Sequence, residues 1–223
     1  QYCACIYDFE LQKLLLISDR FGTRPLYYTE LNESFQFAPE IKSLLLSGIE
    51  KKINYSAFSD LFHFSHLFGC KTMFENIHQL PPASVLVLSG KKIEITQYWD
   101  YPYHENAYVE TKPAKHKIED SLEEMIFLMT QAVKRQTVKN SSSILLSLSG
   151  GLDSRWIFAL AHHLDITPLT AFTMGESNSE DVIYARQVAE FLKAEHRFFP
   201  VKPEDIWNDA QTFSCISDAM SMI

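Results

Sequence analysis

The chain has 223 residues, 46% of them hydrophobic, which is enough for one large domain or two small ones with real cores. Its 28 acidic and 20 basic residues give a formal net charge of -8, which disfavours a protein that binds nucleic acid or a membrane surface. No apolar run approaches the length of a transmembrane helix, and the four cysteines follow no disulfide-framework spacing. We therefore expect a protein of the reducing cytoplasm.

The first half of the sequence is dominated by short apolar runs and by alternation of apolar and polar residues. These patterns predict strands at residues 1–7, 14–18, 26–29, 34–37, 85–88 and 93–98. Helices are predicted at residues 39–46 and 56–64, with Asn54 as the N-cap of the second. The composition is that of an antiparallel α+β domain over residues 1–104, followed by a polar linker at residues 105–117.

The second half, residues 118–223, alternates between strands and helices. Helices are predicted at residues 118–137, 153–163 and 180–192, and strands at residues 144–148, 169–173 and 195–199. The first of these helices should bury one apolar face, formed by Leu122, Met125, Ile126, Met129 and Val133. Such alternation is typical of a parallel sheet with helical crossovers, in which ligands bind beyond the carboxyl ends of the strands.

One strand-to-helix junction carries the segment SLSGGLDSR, residues 147–155. Gly150 and Gly151 can turn successive N–H groups to one side, next to the positive end of the following helix. Ser149 and Ser154 add hydroxyl groups, and Asp153 implies a divalent cation, most simply Mg²⁺, between itself and a phosphate. The spacing and the missing lysine exclude an ATPase P-loop. The segment therefore predicts a phosphate or pyrophosphate site, whereas a simple turn with Asp153 as a helix cap is the alternative.

The segment SGGLDS resembles the pyrophosphate loop of the N-type ATP pyrophosphatases. DRFGTRPLYY, FAPEIKSLL and LPPAS resemble the end of the glutaminase domain of the glutamine-hydrolysing asparagine synthetases. LTAFTMG, DVIYARQVAEFL and EHRFF resemble the elements that follow the loop in their synthetase domain. The motifs stand in the order of that family and extend over nearly the whole chain.

This resemblance implies the C-terminal part of a class II glutaminase of the N-terminal-nucleophile hydrolase fold. A truncated α/β ATP pyrophosphatase domain of the adenine nucleotide alpha hydrolase type follows it. It also implies the activity: glutamine supplies ammonia, which attacks aspartate activated by ATP as β-aspartyl-AMP. The expected cofactors are ATP and Mg²⁺. The expected partners are the small-molecule substrates and a second subunit in a homodimer, with neither nucleic acid nor membrane.

The resemblance implies a set of nucleotide- and pyrophosphate-binding residues, with Asp153 also the Mg²⁺ ligand. They are Leu148, Ser149, Gly150, Gly151, Asp153, Ser154, Met174 and Gly175. Ordinary core packing is the competing interpretation of Leu148 and Met174. Asp181 matches a polar position of the family or simply begins a helix, and Arg155 either meets a phosphate or is a solvated helix residue.

The family's glutaminase nucleophile, a cysteine at the mature N-terminus, has no counterpart in this sequence, so no catalytic residue is assigned. Cys3 and Cys5 are expected to be core thiols. Both ends of the sequence interrupt regular patterns, so we expect a fragment that is inactive alone. Two alternatives remain: an enzyme that forms a different amide, such as a β-lactam synthetase or a peptide cyclase, and a non-catalytic nucleotide-binding remnant.

Overall fold

The computed structural model describes residues 1–31, 34–101, 115–137, 144–167, 169–218 and 220. The chain forms two compact units, one made of Gln1–Ala107 with Asp209–Ile223 and the other of Tyr108–Asn208. Most of the predicted linker lies outside the described residues, and its last three residues already belong to a helix. The domain limits at residues 104 and 118 therefore stay predictions.

The first unit contains two antiparallel sheets. Its strands are β1 (Cys3–Asp8), β2 (Lys13–Ser18), β3 (Tyr27–Leu31), β4 (Ser34–Ala38), β5 (His78–Gln79), β6 (Ser84–Ser89) and β7 (Lys92–Gln97), and its helices are α1 (Ile41–Leu46) and α2 (Tyr55–Phe64). The strand orders are β1-β2-β6-β7 and β4-β3-β5. All six predicted strands and both helices are confirmed, and Asn54 caps α2 by accepting the N–H of Ala57. Strand β5 is a missed element, because two residues are too short to show a period.

The core of the larger antiparallel sheet follows from its register. Leu16 on β2 stands opposite Leu86 on β6, and both side chains are fully buried. Cys3 packs against this cluster, as expected of a core thiol. The same expectation is wrong for Cys5, which is exposed on the edge strand β1.

A buried carboxylate organises the turn that follows β2. Asp19 accepts hydrogen bonds from the N–H groups of Tyr2 at 2.8 Å, Phe21 at 3.0 Å and Thr23 at 3.1 Å, and from the hydroxyl of Thr23 at 2.7 Å. The N–H and hydroxyl of Thr23, followed by the N–H groups of Tyr2 and Phe21, hold the pKa of Asp19 well below its usual range. The ionised form of this side chain is therefore part of the folded structure.

We predict that Asp19 makes the stability of the protein sensitive to acid. Because its pKa is lower in the folded than in the unfolded chain, the stabilisation is complete at neutral pH and declines as the pH falls below about 4. In Asp19→Asn, the free energy of unfolding should be lower at pH 7 and should fall less steeply with acid. Urea unfolding of the wild type and Asp19→Asn at a series of pH values measures how steeply the free energy of unfolding of each falls with acid.

Thr23→Val and Thr23→Ser serve as the paired variants for this prediction. Only the valine removes the hydroxyl donor, so only Thr23→Val should weaken the acid dependence. If the free energy of unfolding fell equally steeply with acid in the wild type and Asp19→Asn, Asp19 would not be the cause of the acid sensitivity.

The second unit is built on a parallel sheet. Its elements are α3 (Lys115–Gln136), β8 (Ile144–Ser147), α4 (Leu152–His163), β9 (Leu169–Gly175), α5 (Glu180–Phe191) and β10 (Glu195–Pro200). Helix α6 (Pro203–Ile216) begins in this unit, but its residues from Asp209 onwards are grouped with the first unit. The strand order is β10-β9-β8, with both pairs parallel. The three helices and three strands predicted here are confirmed. Helix α6 had not been predicted.

The predicted apolar face of α3 is only partly covered. Leu122, Met125 and Ile126 each remain more than 40% exposed, so the expectation of a buried face is wrong for these three side chains. The buried core of this unit lies between the strands, α4 and α5. It consists of Leu148, Phe158, Ala171, Ala185 and Ala189. No helix in the described part of the chain is long and apolar enough to cross a membrane.

Candidate functional site

The glycine-containing segment lies beyond the carboxyl end of β8, where the parallel sheet meets α4. Ser147 is paired with Phe172 of β9, and the next residue, Leu148, still donates its N–H to the carbonyl of Phe172 at 2.8 Å. Residues 149–151 then form a short loop, and α4 begins at Leu152. This is the edge at which open parallel sheets bind their ligands.

The loop is held together by the two serines that flank the glycines. Ser149 donates its N–H to the Ser154 hydroxyl oxygen at 3.0 Å, and the two hydroxyl oxygens lie 2.9 Å apart. Gly151 donates its N–H to the Ser149 hydroxyl oxygen at 3.3 Å. The serine hydroxyls, which the sequence suggested as donors to an anion, thus serve here to accept hydrogen bonds from the loop backbone.

The third loop amide is bound by Asp181, from the first turn of α5. The N–H of Gly150 donates to Asp181 Oδ1 at 2.9 Å. The contact is so close that a Cβ atom on Gly150 would lie 2.8 Å from both the Cα and the Oδ1 atoms of Asp181. Asp181 lies in the first turn of α5, as the helix-start interpretation predicts, and it also contacts the loop.

The amino end of α4 completes the anion-binding character of the loop. Its N-cap is Gly151, which has no side chain to cap the first turn. The helix end therefore keeps its partial positive charge and its capacity to bind an anion. Asp153 lies exposed in this first turn, and its role as a Mg²⁺ ligand stays a prediction.

Arg155 extends from α4 back towards the loop. Its Nε donates to the carbonyl oxygen of Gly151 at 3.1 Å. This hydrogen bond joins Arg155 to the turn between loop and helix, so the residue is not fully solvated. Its contact with a phosphate stays a prediction.

The predicted adenosine-contacting residues differ in burial. The Leu148 side chain is fully buried, so core packing describes that side chain, whereas Met174 is 62% exposed and does not belong to the core. Gly175 has a φ of +154°, where a Cβ atom would be strained, and it ends β9 beside Met174.

In the described ranges, no group of three or more His, Cys, Asp or Glu side chains is arranged to hold a metal ion. Asp153 and Asp181 are the carboxylates that the site offers, so a cation there would need further oxygen ligands from a bound phosphate or water.

We predict that the close approach of α5 makes Gly150 the less replaceable glycine of the pair. The Cβ atom of Gly150→Ala would collide with the backbone of Asp181, whereas that of Gly151→Ala meets only the Ser149 hydroxyl oxygen at 3.3 Å. Gly150→Ala should therefore lower the free energy of unfolding by about 1–3 kcal/mol, and clearly more than Gly151→Ala. Urea unfolding of the two variants tests this. Equal losses of unfolding free energy would show that the contact between Gly150 and Asp181 is not rigid.

Two family models match different parts of the chain. The family model described as a glutamine amidotransferase domain matches residues 1–99, and the one described as asparagine synthase matches residues 125–222. Together they cover most of the first unit and the whole of the loop region.

Individual relatives include three proteins of similar overall likeness. Asparagine synthetase (glutamine-hydrolyzing) 3 of Bacillus subtilis is 29% identical over 162 residues, which are 72% of this chain and 25% of that protein. Asparagine synthetase (glutamine-hydrolyzing) 2 of the same organism is 29% identical over 210 residues, 86% of this chain and 26% of that protein. Amidase chry2 of Gibberella zeae is 27% identical over 165 residues, 74% of this chain and 23% of that protein. The chain thus spans about a quarter of the length of these curated relatives.

Proposed function

The chain belongs to the glutamine-hydrolysing asparagine synthetase family, and we propose from this that it takes part in ATP-dependent synthesis of asparagine from aspartate, with glutamine as the nitrogen donor. The observation that carries the proposal is the loop at residues 149–151, which places the uncapped amino end of α4 at the carboxyl edge of a parallel sheet. In this reading ATP binds across that edge.

The proposed roles follow the geometry of the loop. Gly150 and Gly151, with Ser149 and Ser154, bind the β- and γ-phosphates that leave as pyrophosphate. In the structure the Gly150 amide is bound to Asp181, so a phosphate oxygen replaces a carboxylate oxygen on the same donor. The exchange preserves one charge-assisted hydrogen bond, which keeps its energetic cost small.

Adenosine is proposed to lie along the backbone at Leu148 and Met174, with Gly175 permitting close approach. The exposure of Met174 supports this placement, as does the positive φ of Gly175, at which a residue with a Cβ atom would be strained. The buried Leu148 side chain leaves its backbone as the contacting group.

Mg²⁺ fits the chemistry of the site, because Asp153 is an exposed carboxylate at the rim of a phosphate-binding loop. When bound, the ion would neutralise charge on the departing pyrophosphate. The chain's own contribution is to orient the phosphates: fixed N–H donors stabilise negative charge that develops on the leaving group. Activation of the aspartate carboxylate as an adenylate supplies the good leaving group that amide formation needs.

Residues 1–104 are proposed to be the later part of an N-terminal-nucleophile hydrolase-type glutaminase domain that supplies ammonia. The paired antiparallel sheets and the match over residues 1–99 support this assignment. Four free thiols fit a reducing compartment such as the cytoplasm, and a homodimer remains part of the proposal.

The test is ATP–pyrophosphate exchange with the full polypeptide that carries this sequence, in the presence of single amino acids. Exchange that depends on aspartate, and asparagine formation on addition of glutamine, is the expected result. Exchange with a different acid would assign the protein to another amide-forming reaction. Nucleotide binding without exchange for any acid would make it a non-catalytic relative.

We predict that Asp153→Asn raises the Mg²⁺ concentration needed for half-maximal exchange by at least about tenfold, since a cation ligand loses its charge. The matched control is Asp165→Asn, the same substitution just beyond the other end of α4, at an exposed position with a φ of +52° that asparagine tolerates. The control should keep the wild-type Mg²⁺ dependence. Equal Mg²⁺ curves for Asp153→Asn and wild type would remove Asp153 from the metal site.

A further inference from the structure

A row of three hydrogen-bonded groups crosses the parallel sheet directly below the loop. The hydroxyl oxygen of Thr173 on β9 lies 2.6 Å from the carbonyl oxygen of Leu148 and 2.8 Å from Nε2 of His196 on β10. Thr173 is 2% exposed and Leu148 is fully buried, so water does not compete for these bonds.

The count of protons decides the direction of both bonds. Thr173 has one hydroxyl hydrogen, and the Leu148 carbonyl oxygen can only accept, so this hydrogen is donated to Leu148. The threonine oxygen must then accept from His196, which requires the tautomer that carries its proton on Nε2. Burial of the imidazole, and then the charge of Arg186, lower the pKa of His196 and favour the neutral ring.

The Leu148 carbonyl shares a rigid peptide plane with the N–H of Ser149. That N–H is the first donor of the loop and binds the Ser154 hydroxyl oxygen. Leu148 also donates its own N–H to Phe172, so both of its backbone groups are bound to β9. The orientation of the first loop amide is therefore set by the threonine hydroxyl, which stands on the far side of the same peptide.

We propose that Thr173 and His196 are positioning residues of the nucleotide site, which fix the peptide between Leu148 and Ser149 and thereby the loop that receives the phosphates. The proposal rests on the proposed function of the loop, but its mechanism is a property of the sheet. The sequence alone singles out neither residue, because Thr173 and His196 both look like ordinary residues of predicted strands.

Thr170 offers a matched control on the same strand. Its hydroxyl donates to Glu195 of β10 at 3.1 Å, so it also bridges β9 to β10, and it is only 8% exposed. It lies three residues before Thr173, and its partner is not the backbone of Leu148. Thr170→Val and Thr173→Val thus each remove one buried hydroxyl that joins these strands, but only the second frees the loop peptide.

The experiment measures the dissociation constant of Mg²⁺–ATP by calorimetry, and the KM for ATP in pyrophosphate exchange, for four forms of the full polypeptide. These are the wild type, Thr173→Val, Thr173→Ser and Thr170→Val. Thr173→Val should weaken ATP binding on the order of tenfold, because the buried carbonyl of Leu148 and the Nε2–H of His196 lose their partner. Thr173→Ser should restore binding, and Thr170→Val should bind like the wild type.

A second readout is independent of activity. Nitrogen chemical shifts of His196 should show the neutral Nε2–H tautomer in the wild type and a mixture of tautomers in Thr173→Val. An Nδ1–H tautomer in the wild type would overturn the proposal, because Thr173 would then donate to the imidazole and not to Leu148. Equal loss of ATP affinity in Thr170→Val and Thr173→Val would overturn the proposal, because Thr173 would then only stabilise the sheet and would not position the loop.

The outcomes also separate this proposal from the proposed function. ATP binding that responds to Thr173 without any exchange activity would sustain the positioning role and refute the synthetase reaction. A wild type that does not bind ATP would overturn both.

Discussion

The close packing of α5 against the parallel sheet is the constraint on which the site depends. Ala171 on the sheet and Ala185 and Ala189 on α5 are small and buried, so the helix approaches the strands without bulky side chains between them. This approach brings Asp181, in the first turn of α5, within hydrogen-bonding distance of Gly150. A larger side chain at any of these alanines would separate the helix from the loop.

The loop is organised before any ligand arrives. Its three amides, those of Ser149, Gly150 and Gly151, are each paired with a protein oxygen, and two of those oxygens are the hydroxyls of Ser149 and Ser154. These contacts hold the loop against the uncapped end of α4, and a fixed positive end costs little reorganisation when an anion binds, which is the condition for electrostatic stabilisation of a leaving group. Asp181 is the one carboxylate in this set, so an incoming phosphate exchanges with it for a single donor.

Each unit contains a turn whose backbone N–H groups donate to side-chain oxygens, but the side chains differ. In the first, a carboxylate, Asp19, gathers the backbone N–H groups of a turn and keeps its charge. In the second, hydroxyl and carboxylate oxygens gather the amides of the loop. Both turns follow a strand directly, where the sheet ladder ends and the next N–H groups need other acceptors.

The sequence by itself determined the elements other than β5 and α6, the change from antiparallel to alternating patterns, and the position of the loop, because periodicity and glycine placement act over a few residues. It could not determine that Thr173 meets both Leu148 and His196, that Asp181 binds Gly150, or that Cys5 and one face of α3 are exposed. The hydrogen bonds depend on strand order and on helix approach, which bring together residues 23 to 31 positions apart. Only the tertiary structure decides such contacts, since each side chain alone has an equally good local explanation.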